Sequence, residues 1–170
     1  MTVDELFDRW EAAWGAKGGG GFGAVCGDDI HYEDPLTPQP LESVAALQAH
    51  AERLWSAFPD ARIERTGERL VSADGTFVAA PAKLLATHKA PLEGLPATNA
   101  FVIVHVVFYC ELRDGRLHRV RAFFDLYSAA TQLGVLPKPG TLGEKALLML
   151  RGFGWPRAEG EGRSSAIRRR

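Results

Sequence analysis

Cysteine is scarce in this chain. Cys26 and Cys110 are the only two in 170 residues, and they stand far apart. That excludes a disulfide-stapled scaffold and any cysteine-based metal spacing. Cys110 ends an apolar run and reads as a buried, reduced thiol. Charge of one sign is also lacking: 20 basic and 21 acidic residues leave a net charge of −1. No global field therefore favours nucleic acid or an anionic membrane. There is no N-terminal apolar run, because Asp4, Glu5, Asp8 and Arg9 interrupt the start, and so no signal peptide is expected. The longest apolar stretch, Phe101 to Cys110, is broken by His105 and is too short to span a bilayer. The expectation is a protein of the reducing cytoplasm. The five histidines are scattered, and none makes an i, i+4 pair with another ligand on a helix. The run Gly18 to Gly21 is followed by no Lys-Ser/Thr and opens no helix, which excludes a phosphate loop. No Ser or Cys sits in a nucleophile-elbow sequence. Neither a metal nor a cofactor is expected.

What is present is a hydrophobic fraction of 46% and a charged fraction of 24%, as in an ordinary globular domain. The length predicts one domain over residues 1–153. The remaining 154–170 is nearly devoid of apolar residues, ends in three arginines and is expected to be a disordered, solvated tail. Leu6, Trp10, Ala13 and Trp14 share a helical face, opened by a capping box from Thr2 to Glu5. The glycine run ends that helix and reads as a flexible loop anchored by Phe22 and Val25. A short strand follows over 30–34. A second helix over 42–58 carries the stripe Val44, Leu47, Ala51, Leu54, Trp55 and Phe58. Strand-like runs then occupy 62–72, 76–88, 100–112 and 116–125, with hairpin turns at Asp74-Gly75 and Asp114-Gly115. Short helices are expected over 126–133, capped by Gly134, and after Thr141. Helices first and strands later describe an α+β domain with a curved antiparallel sheet.

Asp125 draws attention because it closes an aromatic strand. Phe123 and Phe124 supply apolar walls that would raise a carboxylate pKa and suit it to proton transfer. The same residue could simply cap the following helix. Arg121 stands four residues earlier, on the same face of a regular strand. It could bind a substrate oxygen, pair with Asp125 or face solvent. His105 sits among valines, and its face depends on register. A two-residue turn at Asp114-Gly115 pairs Val104 with Asp125 and turns His105 away. A three-residue turn pairs His105 near Phe123. Tyr32 and Asp34 share a face, and Asp34 before Pro35 is also an ordinary turn residue. His31 is expected to be exposed, and His50, between Leu47 and Leu54, to be partly buried. Trp14, Trp55 and Phe58 read as core residues or as a platform for a ligand.

The ordered motifs Trp10-x-x-x-Trp14, Tyr32-Glu33-Asp34-Pro35, Phe58-Pro59-Asp60, Thr87-His88, Pro96-Ala97-Thr98-Asn99, Asp114-Gly115, Phe124-Asp125 and Gln132-Leu133-Gly134 resemble those of SnoaL-like polyketide cyclases. These belong to the nuclear-transport-factor-2-like superfamily, and the resemblance covers about residues 3–137. It implies a cone of curved antiparallel sheet closed by N-terminal helices around a pocket for a small hydrophobic ligand. It also implies a homodimer packed through the outer sheet face. By the same resemblance Asp125 is the general acid/base of an intramolecular aldol closure that uses no cofactor or metal. Tyr32 would serve as enolate donor or stacking wall at the pocket mouth, and His88 would stand at a strand end near a covering loop. The chain departs from the family pattern at Arg121, where a tryptophan is common, at Asn99 and at the glycine run. Two other readings compete with a cyclase or isomerase. One is a non-catalytic ligand-binding or scaffold protein of the same fold. The other is a limonene-type epoxide hydrolase, which Arg121-Ala-Phe-Phe-Asp125 partly resembles, although strand 101–110 lacks the Arg-x-Asp pair of that family.

Overall fold

The structure, a computed structural model, describes residues 1–150. The expected tail lies outside the described residues. The chain divides into two units, Met1–Leu136 and a second that begins at Pro137. The first unit contains α1 (Val3–Ala13), β1 (Cys26–Glu33), α2 (Val44–Ala57), β2 (Arg62–Arg65), β3 (Leu70–Val71), β4 (Phe77–Thr87), β5 (Phe101–Arg113), β6 (Arg116–Phe124) and α3 (Leu126–Gln132). In the second, α4 spans Leu142–Leu150, and the Thr141 hydroxyl accepts the Glu144 N–H.

Local chemistry explains where the first helices begin. Thr2 accepts the Glu5 N–H, while the Glu5 carboxylate accepts the Thr2 N–H at 2.8 Å, closing the capping box. Ser43 caps α2 by accepting the Ala46 N–H. α1 buries Leu6, Phe7, Trp10 and Ala13. The ring of Trp10 is fully buried and meets Trp14, Phe22 and Phe108 edge-on, at centroid distances of 5.7, 5.6 and 5.6 Å. On its polar side α1 is held by Arg69, whose buried guanidinium donates to Asp4, Asp8 and Glu11.

The strands form one open sheet in the order β1-β6-β5-β4-β2, with β3 also on β4. The expectation of a wholly antiparallel sheet is corrected at one edge: β1 runs parallel to β6. A parallel pair needs a long crossover, and nearly the whole sheet separates β1 from β6 in the chain. The expected single strand over 62–72 is broken into β2 and β3.

The β5–β6 hairpin matches neither register expected from the sequence. Asp114 and Gly115, with φ of 51° and 71°, make a two-residue turn between paired Arg113 and Arg116. Leu112 faces Leu117, but Glu111 faces Arg119, so His118 is an extra residue in β6. This bulge shifts the pairing by one, in the sense opposite to the three-residue alternative, and sets Val106 opposite Phe124. Ala122 and Phe124 therefore turn to the inner face, and Arg121 and Phe123 to the outer.

The glycine run is seated against the core. The Trp55 indole N–H donates to the Trp14 carbonyl at 2.9 Å, and Gly20 N–H to the Ala13 carbonyl at 2.8 Å. A Cβ on Gly19 would lie 1.7 Å from the Gly15 carbonyl oxygen and 2.8 Å from Trp55 Cζ2. Gly19→Ala is expected to cost about 1–3 kcal/mol by overpacking. A urea melt followed by tryptophan fluorescence checks this, and an unchanged midpoint would show that the loop yields freely.

Candidate active site

The inner face of the sheet, α2 and the end of α1 enclose an apolar pocket. Trp14 comes from the end of α1, Leu54, Trp55 and Phe58 from α2 and its cap, and Val104, Val106, Phe108, Ala122 and Phe124 from β5 and β6. Ala61, Ile63 and Leu84 complete the apolar wall, and Tyr32 and Asp34 supply its polar end. The cavity measures about 100 Å³. That is of the order of the roughly 150 Å³ apolar cavity that holds benzene, so the enclosed part suits about one ring.

Among the described residues, Asp34 is the one charged residue lining the pocket. It lies just past β1, and its side chain is only 3% exposed. Oδ2 accepts the Tyr32 hydroxyl at 2.8 Å and approaches His50 Nε2 at 3.0 Å, while Oδ1 accepts the Leu36 N–H at 2.7 Å. Burial works against the Asp34 charge, but these hydrogen bonds outweigh it and hold the pKa below its ordinary value. Burial, then the neighbouring carboxylate, pushes the Tyr32 phenol well above its usual pKa, so it stays a donor. On the far side of His50, Arg53 Nη2 lies 3.0 Å from Nδ1. A guanidinium only donates, so in this contact Nδ1 is the acceptor, and Nε2 is the atom facing Asp34. A second recess there is lined by His50, Arg53, Ser56 and Glu93.

Of the residues singled out in the sequence, Trp14, Tyr32, Asp34, Trp55, Phe58 and Phe124 come together in this wall. Asp125, Arg121, Phe123, His105 and His88 are not among its lining residues. Asp125 is exposed, and its carboxylate accepts the Ser128 N–H at 2.9 Å as the cap of α3. The bulge turns Phe123 outward, and the strand ends at Phe124. Arg121 meets neither Asp125 nor the pocket; its Nε donates to Glu33 at 2.6 Å on the outer face, beside Phe123. His105 is exposed on that same face, opposite Lys83. His88 is fully buried beside the pocket, its ring 5.1 Å from that of Phe58, and its Nδ1 accepts the Thr98 N–H. Sequence reasoning missed His50 as an Asp34 partner, and Arg53 altogether. The available signal was His50's place on the buried stripe of α2, between Leu47 and Leu54, where an imidazole needs partners.

The sequence profile of SnoaL-like polyketide cyclases matches residues 4–133. The chain belongs to the SnoaL-like polyketide cyclase family. Similar solved structures include a candidate SnoaL-like polyketide cyclase from Jannaschia sp. CCS1, 23% identical, covering 78% of this chain and 92% of that one with a TM-score of 0.67. A candidate polyketide cyclase from Pseudomonas putida is 23% identical, covers 78% and 98%, and has a TM-score of 0.66. AclR, a candidate hydroxylase from Streptomyces galilaeus, is 24% identical, covers 79% and 96%, and has a TM-score of 0.65. These likenesses establish the fold, which is ketosteroid isomerase-like and of the nuclear-transport-factor-2 type. A comparison with proteins of curated function finds no match.

In this SnoaL-like site the tautomer of His50 depends on Arg53. Arg53→Met is expected to release Nδ1 and allow the other tautomer, whereas Arg53→Lys keeps a donor there. Nitrogen-15 shifts of His50 check this; an identical spectrum in Arg53→Met would show that Arg53 does not set the proton.

Proposed function

We propose that the protein performs cofactor-independent acid–base chemistry, ring closure by aldol addition or isomerisation, on a small hydrophobic carbonyl compound bound in this pocket. The observation that carries the reading is Asp34, a buried ionised carboxylate in an otherwise uncharged wall. Asp34 takes the proton of a C–H beside the carbonyl, and the bonding pair moves to the carbonyl oxygen as an enolate. The Tyr32 hydroxyl, freed as Asp34 becomes neutral, donates to that oxygen. The enolate carbon attacks a second carbonyl, and Asp34 returns the proton to the new alkoxide. A carboxylate held below its ordinary pKa is a weak base. That restricts the substrate to C–H groups flanked by two carbonyls, as in a polyketide chain. Asp125, the position that family resemblance names, is the rival base at the end of β6.

The test is proton–deuterium exchange of an aryl 1,3-diketone, followed by NMR above the protein-free rate. Asp34→Asn is expected to lose at least about a hundredfold, with Asp125→Asn unchanged. The opposite pattern would move the base to Asp125. No exchange above background by the wild type would leave the alternative of a non-catalytic ligand-binding protein, which the two hydrogen bonds already filling Asp34 Oδ2 favour.

We also propose a homodimer through the outer sheet face. Phe101, Ile103, Val107, Tyr109 and Phe123 are all at least 40% exposed there, and contiguous exposed apolar patches mark interaction sites. Ile103→Lys is expected to halve the mass seen by light scattering after gel filtration. A wild-type monomer would remove the proposal.

A further inference from the structure

The net charge of −1 hides a segregation of charge along the chain. Residues 137–170 carry eight basic and three acidic residues, a net of +5. Residues 1–136 carry 12 basic and 18 acidic residues, a net of −6. The basic segment lies beyond the family domain, whose profile ends at residue 133, and the pocket is lined by residues between 14 and 124. Neither the family match nor the pocket accounts for it.

Among the described residues, the helix of this segment is α4, nine residues long with none of them buried. Leu142 and Leu150 are 82% and 86% exposed, and Leu147, Leu148 and Met149 are exposed as well. At the helical period Leu142, Ala146, Met149 and Leu150 share one face, Leu147 borders it, and Glu144 lies opposite. So short a helix is marginal in water unless its apolar face is packed. The sequence that follows supplies Phe153, Trp155 and six arginines, Arg168, Arg169 and Arg170 among them.

We infer that this segment binds the surface of an anionic lipid bilayer. The apolar face of α4 enters the boundary between headgroups and acyl chains, and the arginines meet the lipid phosphates. Stable attachment to a membrane surface takes two signals, and an apolar helix face with a polybasic stretch supplies both. Trp155 is of the residue type that settles at such an interface. Nucleic acid would engage the arginines but leave the leucines of α4 in water. A protein groove would take one face of α4, but the arginines are scattered among glycines, serines and glutamates and offer no regular pattern for it to read. Lipid headgroups form a diffuse field that needs no such pattern. Repulsion from the acidic residues of 1–136 is confined to those within about 10 Å of the headgroups at ordinary ionic strength.

The test floats the full chain on a density gradient with vesicles of equal parts phosphatidylglycerol and phosphatidylcholine, and with vesicles of phosphatidylcholine alone. The protein is expected to rise with the anionic vesicles and to partition at least about tenfold more weakly onto the neutral ones, or onto either in molar salt. Met149→Glu with Leu150→Glu, which breaks the apolar face, is expected to lower the partition at least about tenfold. Arg168→Gln with Arg169→Gln and Arg170→Gln, which removes charge, is expected to do the same. A urea midpoint equal to that of the wild type shows that a variant is folded, and the arginine variant decides the matter if the α4 variant is not. No flotation of the wild type with anionic vesicles, or equal partition onto both compositions, overturns the inference. So does binding of a DNA duplex in place of vesicles, which would assign the arginines to nucleic acid. Flotation that survives Met149→Glu with Leu150→Glu in a folded protein overturns the part given to α4. Flotation does not involve Asp34, so its failure leaves the proposed function standing, and failure of diketone exchange leaves this inference standing.

Discussion

Asp34 is an almost sealed carboxylate where β1 gives way to the turn before α2, and a charge in that position is tolerated only if donors surround it. Each donor comes from a different part of the chain. Tyr32 is two residues earlier on the same strand face, Leu36 offers a backbone N–H from the turn, and His50 reaches across from α2. The carboxylate therefore ties β1 to α2 and fixes one end of the pocket between them. The same hydrogen bonds that make the charge bearable also set its chemistry. They keep Asp34 ionised and Tyr32 protonated, and Arg53 holds His50 Nδ1 from the far side.

The second constraint is a one-residue matter. β5 buries alternate residues throughout its apolar run, and β6 must present the matching set. His118, the extra residue of the bulge, decides which set that is. It brings Ala122 and Phe124 to the pocket and sends Arg121 and Phe123 to the outer face. Arg121 there grips Glu33, its register partner on the parallel strand β1. Since successive strand residues point to opposite faces, one inserted residue exchanges the functions of the two sides. Among the described residues no arginine lines the pocket, and the outer face stays apolar with a few charges.

These two constraints meet in the division of labour among the aromatic residues. Trp10 and Phe22 fill the interior between α1 and the sheet, while Trp14 and Trp55 also form pocket wall. The seat of the glycine run against Trp55 ties the loop to the same wall. A substitution at Gly19, remote in sequence from any acidic residue, thus acts on the shape of the site.

Much of the fold was legible in the sequence because the signals are local. The capping box at Thr2, the stripe on α2, the Asp114-Gly115 turn and the helix after Asp125 each depend on neighbours a few residues apart, and each appears where those neighbours require. The family motifs likewise marked Trp14, Tyr32, Asp34, Phe58 and Phe124, which do meet in one wall. What could not be read was any feature that rests on distant parts of the chain. The parallel pairing of β1 with β6 joins strands about ninety residues apart, and no local pattern encodes it. The bulge at His118 was invisible because both faces of β5 are apolar, so alternation carried no preference for either register. The partnership of His50 with Asp34 needed α2 to be docked on the sheet first. The sequence by itself determined the elements, the α+β class and the family. The tertiary structure alone decided which carboxylate faces the pocket, because that depends on strand register and helix docking, and both are settled by contacts between segments far apart in the chain.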